Sequence, residues 1–187
     1  MPEKVNSHYK QIVEKMDGNF QPKRVICMPI DTSKQSLRTI NWAINHTLDP
    51  TTDKVILMHV YPFPFYSAYP TVLEHECPGT ISIHDPGYPY SHMQEQLKSE
   101  DSRLKDCAKE FLLQQVANLK RKNIHVEAIS FQGDARLILE QEINNLKPDL
   151  VIIGQRGLGV ISSMMLGSVS RHLLHHVQSP IIVLPSH

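Results

Sequence analysis

The sequence predicts a single doubly wound α/β domain with a five-stranded, mostly parallel sheet and helices on both faces. Short apolar segments that suit strands alternate along the chain with amphipathic segments that suit helices, a pattern typical of strand-helix-strand units. Residues 55–60 are apolar at almost every position, as expected of a parallel strand that is buried on both faces. Composition agrees, because 187 residues with 41% hydrophobic content can bury one core.

The first half of the chain contains two predicted strands with a helix between them. Residues 1–22 are a polar N-terminal arm, and the domain proper covers 23–187. Residues 24–30 form the first apolar run, and 55–60 form the second. Between them, four apolar residues recur at helical spacing until Asp49-Pro50 ends the helix: Leu37, Ile40, Ile44 and Leu48.

Residues 61–90 have the composition of a long loop. They hold six of the thirteen prolines and five of the six tyrosines, so a regular helix or a central strand is excluded there. The loop leaves the carboxyl end of the second strand, and it is either a lid or partner-docking surface or an unstructured decoration.

The second half continues the alternation of helices and strands. A long amphipathic helix from Leu97 ends near Asn123 and is followed by a strand over 124–128. Asp134 can cap the next helix, which Lys147-Pro148 ends. The remaining elements are a strand over 150–153, a glycine-bearing loop, a helix over 167–177 and a strand over 181–184.

Charge and cysteine content argue against several classes of partner. Basic and acidic side chains number 19 each, so no net field attracts nucleic acid or an anionic membrane. No apolar run is long enough for a membrane span, and the polar N-terminus lacks a signal-peptide core, which predicts a cytoplasmic protein. The thiols have no metal-binding spacing and are expected to be reduced: Cys27, Cys77 and Cys107.

Four of the eight glycines cluster between a buried strand and a helix, where a backbone can approach a phosphate: Gly154, Gly157, Gly159 and Gly167. A Walker loop is excluded because Gly167 is followed by Ser168 instead of lysine. The dinucleotide pattern is excluded because its third glycine would fall at Ser162.

The spacing Gly154-x2-Gly157-x9-Gly167-Ser168 resembles the ATP-binding branch of the universal stress protein family. Val25 to Asp31, followed by Ser33 and Ser36, is similar to the family's first strand and turn. The resemblance covers residues 24–60 and 104–185. Thr32 is a departure, because many members have glycine there.

The resemblance implies a nucleotide site. It places Pro29 and Asp31 at the nucleoside, with the carboxylate accepting from ribose hydroxyls, and Val60 at the adenine wall. Ile153 and Gly154 would lie beside the ribose. The phosphate positions are those of the glycine-bearing segment: Gly157, Gly167, Ser168, Val169 and Ser170. Arg156 is either a further phosphate contact or a solvated loop arginine.

The resulting prediction is a stress-response or regulatory protein that binds ATP or AMP, with Mg²⁺ held through the phosphates. The resemblance also implies an antiparallel homodimer through the last strand: Ile181, Ile182, Val183 and Leu184. No catalytic residue is assigned, because Asp31 is the only carboxylate among the matched positions. The alternatives are a slow ATPase or adenine-nucleotide hydrolase, and a nucleotide-independent dimeric scaffold.

Histidines provide a second candidate chemistry. His172 and His176, at i and i+4 of the last predicted helix, could face a metal ion together, with His175 beside them. No acidic or cysteine ligand accompanies them in sequence, so no metal site is predicted. His59 lies in an apolar strand and is expected to be a hydrogen-bonded core residue.

Overall fold

The computed structural model describes residues 10–15, 20–64, 90–155 and 166–185. Its strands and helices follow in chain order: β1 (Lys10–Glu14), β2 (Arg24–Pro29), α1 (Lys34–His46), β3 (Asp53–Tyr61), α2 (Tyr90–Lys120), β4 (His125–Gln132), α3 (Ala135–Leu146), β5 (Leu150–Gly154), α4 (Ser168–His176) and β6 (Ile181–Leu184).

The described strands form one sheet of six, in the order β1-β4-β3-β2-β5-β6. β2 through β6 pair in parallel, whereas β1 pairs antiparallel with β4. From β2 the chain moves outward through β3 and β4, and then returns to the other side of β2 with β5 and β6. This reversal confirms the doubly wound fold class predicted from the alternation of elements.

All five predicted strands are present, but a sixth was missed. β1 lies within the stretch predicted as a polar N-terminal arm, where its Lys10, Gln11 and Glu14 gave no apolar run. Its register on β4 brings Ile12 opposite Ile129, and the exposed fraction of Ile12 is 46%. Strand formation here depends on edge pairing with β4 more than on burial, which is why hydrophobic patterning did not reveal it.

The core has two parts, one on each face of the sheet. α1 and α2 cover the face that carries Val55 and Leu57, where α1 contributes Ile40 and α2 contributes Leu112. α3 and α4 cover the opposite face: Ile56, Met58, Ile138, Ile143 and Leu173 pack there. Successive residues of β3 therefore serve opposite cores, and the prediction of helices on both faces is confirmed.

The sequence predicted which helices and strands are present more accurately than it predicted where they begin and end. α2 begins at Tyr90, seven residues before the predicted Leu97, and β4 continues four residues past the predicted Ala128. Asp134 is the N-cap of α3 as predicted, since its side chain accepts from the Arg136 amide at 2.9 Å. The Arg136 side chain, which also donates to Asp134, holds the pKa of that carboxyl below its usual range.

Two other sequence predictions concern cysteines and the long loop. Cys27 is fully buried with a free thiol, and burial raises the pKa of that thiol. Cys107 is half-buried, while Cys77 lies outside the described residues. Most of the long loop, for which a lid, a partner-docking surface and an unstructured decoration were the alternatives, also lies outside the described residues, at 65–89. Across the described ranges, none of the helices is both long and apolar enough to cross a membrane.

The amino ends of β2 and β3 are joined by a partly buried ion pair. Arg24 donates from Nε to Asp53 Oδ1 at 2.9 Å and from Nη2 to Oδ2 at 2.6 Å, and the Asp49 amide donates to Oδ2 at 2.8 Å. Burial of Asp53 opposes its ionisation, but the hydrogen bonds from Arg24 and Asp49 outweigh it and hold the pKa of Asp53 below its usual range.

We expect Asp53→Asn to lower the free energy of unfolding by about 2 kcal/mol near neutral pH, since Arg24 loses its charged partner but keeps its bond to the Thr47 carbonyl and remains partly hydrated. Because the folded-state pKa of Asp53 is lowered, its contribution exists above the unfolded pKa of about 3.9 and is lost as pH falls through the folded value. The difference in free energy of unfolding between wild type and Asp53→Asn, measured by urea denaturation, should therefore become smaller as the pH is lowered. A difference independent of pH would contradict this account.

Candidate functional site

The candidate site lies where β2 and β5 are neighbours at the centre of the sheet. Ile26 pairs with Leu150 and Cys27 with Val151, both in parallel, so the carboxyl ends of the two strands meet at one edge of the sheet. The connections that follow these strands lead in opposite directions, to β3 and to β6. Such a reversal opens a crevice between the two connections, which is where doubly wound sheets bind ligands.

The turn after β2 holds Asp31 through the first residues of α1. Asp31 Oδ1 accepts from Ser33 Oγ at 2.5 Å, from Ser36 Oγ at 2.6 Å and from the Ser33 amide at 3.2 Å. The Asp31 amide in turn donates to Ser36 Oγ at 3.0 Å. Ser33 is the N-cap of α1 and accepts from the Ser36 amide at 3.2 Å. The carboxylate is thereby oriented at the strand end by the start of the helix.

A second bond fixes the end of β2. Pro29 is its last residue and is buried, and the following Ile30 amide donates to the Met58 carbonyl at 2.8 Å. His59 Nδ1 donates to the Ile30 carbonyl at 2.9 Å, and its side chain is 7% exposed. The prediction that His59 is a hydrogen-bonded core residue is confirmed, and its bond supports the backbone immediately before Asp31.

Thr32, where the family often has glycine, needs no special backbone. Positive φ angles in the described ranges belong to Gly133, Asn123 and Lys147, and Thr32 is not among them. A residue with a Cβ therefore fits this turn without left-handed strain.

The second wall of the crevice is the connection between β5 and α4. The buried Gly154 ends β5, and the Gln155 carbonyl accepts from the Gly167 amide at 2.8 Å and from Ser170 Oγ at 2.8 Å. These bonds close the loop by joining residue 155 directly to the start of α4. Sequence reasoning missed Gln155, because its backbone carries the contacts and its side-chain type gives no signal.

α4 begins at Ser168 after its N-cap residue Gly167, and no side chain within the described ranges caps it. The first amides of a helix have no partner within the helix, and the helix dipole adds partial positive charge at this end. Ser168 is exposed there, whereas Ser170 is 3% exposed and directs its hydroxyl proton to a backbone carbonyl. The helix end can bind an anion through amides, with Ser168 placed to add a hydroxyl.

Three of the implied site residues belong to the apolar face below α3 and α4. Ile153 is 6% exposed and part of this core, and the partly buried Val60 and Val169 pack against it. Val60 is near the carboxyl end of β3, and Ile153 precedes Gly154 in β5. These three side chains therefore contribute to the core next to the ends of the two strands. Two implied phosphate contacts, Arg156 and Gly157, fall outside the described residues.

The predicted dimer residues form the outermost described strand on this side of the sheet. Ile181, Ile182, Val183 and Leu184 are half-buried, and β6 pairs with β5 through one edge only. The Leu184 carbonyl accepts from the Gln155 amide at 2.7 Å and from Gln35 Nε2 at 3.1 Å, and Gln35 Nε2 also donates to the Pro185 carbonyl at 2.8 Å. Both walls of the crevice are therefore bonded to the end of β6.

Comparison with known proteins agrees with this geometry. A family model described as the universal stress protein family matches residues 80–185. Universal stress protein PHOS34 of Arabidopsis thaliana is 31% identical over 168 residues, which cover 87% of this chain and 62% of that protein. The chain thus spans less than two thirds of the length of this curated relative.

Two solved structures share the fold. The hypothetical protein MJ0577 superposes with a TM-score of 0.66 at 19% identity, covering 88% of this chain and 96% of the other. A universal stress protein family protein from Arabidopsis thaliana, solved with AMP bound, gives a TM-score of 0.52 at 18% identity, with 88% and 92% covered. At these identities the similarity is one of fold.

The two serines of α4, Ser168 and Ser170, should differ in how much they contribute to stability. We expect Ser170→Ala to lower the free energy of unfolding by about 1 kcal/mol, because a buried hydrogen bond to Gln155 is lost. Ser168→Ala, at an exposed position, should change it by less than about 0.5 kcal/mol. Urea denaturation followed by circular dichroism measures the stability of both variants. Equal losses of stability would contradict the assignment of the structural hydrogen bond to Ser170.

Proposed function

The chain belongs to the universal stress protein family, and from this premise we propose that it binds an adenine nucleotide, ATP or AMP, between the carboxyl ends of β2 and β5. The observation that carries the proposal is that an oriented carboxylate, Asp31, follows β2 and that α4 begins after β5, two parallel neighbours whose carboxyl ends share one edge of the sheet where strand order reverses. A nucleotide needs both an acceptor for ribose hydroxyls and donors for phosphate.

Each part of the nucleotide has a matching surface in this arrangement. Asp31 accepts from ribose hydroxyls, since its carboxylate is held at the strand end by Ser33 and Ser36. Adenine lies against Val60, and Ile153 and Gly154 lie beside the ribose. The phosphates face the amides that begin α4, at Ser168 and Val169, next to Gly167, whose own amide donates to the Gln155 carbonyl. Gly157 and Arg156 join the phosphate site by the glycine spacing, and Mg²⁺ binds through the phosphates.

AMP in the related Arabidopsis structure supports an adenine nucleotide as the class of ligand. The regulatory role that we propose is a change in dimer or partner contacts when the nucleotide binds. Its physical basis is the hydrogen-bond chain from Gly167 through Gln155 to Leu184, which joins the phosphate side of the crevice to the edge strand. Gln35 of α1 joins the ribose side to the same strand.

Thermal shift with ATP, AMP and GTP, with and without Mg²⁺, tests nucleotide binding. Ligand at a hundredfold over its Kd should add about 2.7 kcal/mol, or roughly 5 to 10 °C for a chain of this size. Asp31→Asn keeps the shape of the side chain but removes its charge, so affinity should fall by about 10- to 100-fold. The matched control is Asp106→Asn, the same change at an exposed position of α2.

No shift with any nucleotide would contradict the proposal and favour a dimeric scaffold. If the nucleotide raised the melting temperature of wild type and Asp31→Asn equally, the protein would bind the nucleotide without using the Asp31 carboxylate. Phosphate release measured on the same samples separates binding from slow hydrolysis, the enzymatic alternative.

We further propose that two copies pair antiparallel through β6. The Val151 amide donates to Pro180 and the Gln155 amide donates to Leu184, so the backbone groups of alternate residues face β5. The backbone groups of Ile181 and Val183 consequently face outward, where a second copy can pair with them.

Val183→Pro should abolish this dimer while leaving β5–β6 pairing intact. Proline removes an outward amide, and an edge strand tolerates proline where that amide does not bond within the sheet. Val183→Thr, which keeps the amide and the branched shape, is the control and should stay dimeric. Light scattering across a concentration series measures the mass. A monomeric wild type, or a dimeric Val183→Pro variant, would contradict the pairing.

A further inference from the structure

Three potential metal ligands from α3 and α4 lie close together on a partly exposed surface. One ligand atom from each of Glu140, His172 and His176 lies within 4.8 Å of the other two. Glu140 Oε2 is 2.6 Å from His172 Nε2, and the rings of His172 and His176 stack with centroids 4.1 Å apart and planes 17° apart. Two imidazoles and a carboxylate therefore share one small, partly exposed surface.

The sequence prediction of no metal site depended on the lack of an acidic ligand beside the two histidines. Glu140 lies 32 residues before His172, so spacing along the chain did not reveal it. Packing of α3 against α4 brings it into place, since both helices cover the same apolar face of the sheet. The third ligand is a product of the tertiary structure.

The backbone around the cluster favours metal binding by His176. A carbonyl only accepts, so the 2.8 Å contact between His176 Nδ1 and the His172 carbonyl places the ring proton on Nδ1. Nε2 of the neutral ring is then left with a lone pair. An imidazole whose other nitrogen donates to a backbone carbonyl is a common arrangement of metal-binding histidines.

Neighbouring contacts hold the end of α4 in position. Asn144 of α3 donates from Nδ2 to the His176 carbonyl at 3.0 Å, and its Oδ1 accepts from the Gln178 amide at 3.2 Å. The side chain of Asn144 thus clamps the two helices next to the cluster. A site on two braced helices loses less conformational freedom on binding an ion than a site on loops.

We propose that Glu140, His172 and His176 bind a divalent transition metal ion of the Zn²⁺ class and so link α3 to α4. Imidazole and carboxylate ligands suit Zn²⁺, whose bonds to both are about 2.0 to 2.2 Å long. The ion takes the place of the proton between His172 Nε2 and Glu140 Oε2, and His176 Nε2 completes three protein ligands. Ca²⁺ and Mg²⁺ prefer oxygen ligands and bind poorly. This proposal does not depend on nucleotide binding.

Calorimetric titration of the full chain with Zn²⁺, without a histidine tag, tests the site. Because the chain has eleven histidines, the informative quantity is the difference between variants. His176→Ala and Glu140→Gln should each remove one equivalent of bound Zn²⁺ or weaken its affinity by at least about tenfold. His175→Ala is the matched control, since it lies on the same exposed turn but outside the cluster, and it should bind as the wild type does.

A thermal melt provides an independent readout that also monitors folding. Zn²⁺ should raise the melting temperature of the wild type and of His175→Ala, and should leave that of His176→Ala unchanged. Without metal, the three proteins should melt together, because His176 is exposed. Unchanged Zn²⁺ affinity in His176→Ala or in Glu140→Gln would overturn the three-ligand site. An equal loss in His175→Ala would indicate nonspecific binding to the histidine-rich turn and would overturn it as well.

Discussion

β2 is paired in parallel on both sides, with β3 and with β5, and its central residues Ile26, Cys27 and Met28 have no exposed surface. Burial on both faces requires helices on both faces, and the two core clusters meet this requirement with α1 and α2 on one side and α3 and α4 on the other. The reversal of strand order at β2 follows from that arrangement. It opens the crevice to which the turn at Asp31 and the start of α4 both lead.

The end of β6 connects the two walls of that crevice. Leu184 accepts from Gln155, which follows β5, and from Gln35, which lies in the first turn of α1. A displacement of either wall must strain or break a hydrogen bond to the same short strand. α4 has a comparable double role, with a helix start at the crevice and the cluster of His172, His176 and Glu140 near its other end. Ligands at the two ends would act on one nine-residue helix.

Local signals predicted most of the fold. Apolar runs and one alternating segment located five strands, and four helices were predicted between them, because strands and helices have distinct periodicities. Asp134 was predicted as a cap from its residue type and position, and the structure agrees. β1 was missed because its polar residues carry no such signal, and it is held by pairing with β4 and by ion pairs such as Lys120 with Glu14 at 2.5 Å. Edge pairing depends on a partner that is over a hundred residues away.

The sequence by itself determined the order of the elements, the glycine-bearing connection after β5 and the acidic turn after β2, since each depends on residues close together in the chain. It also carried the spacing that resembles the universal stress protein family. Only the tertiary structure decided that Gln155 and Gln35 meet at Leu184, 149 residues from Gln35, and that Glu140 joins His172 and His176. The physical reason is that these contacts are made between elements brought together by burial of the sheet, and residue type and spacing along one element do not encode which distant side chain will face it.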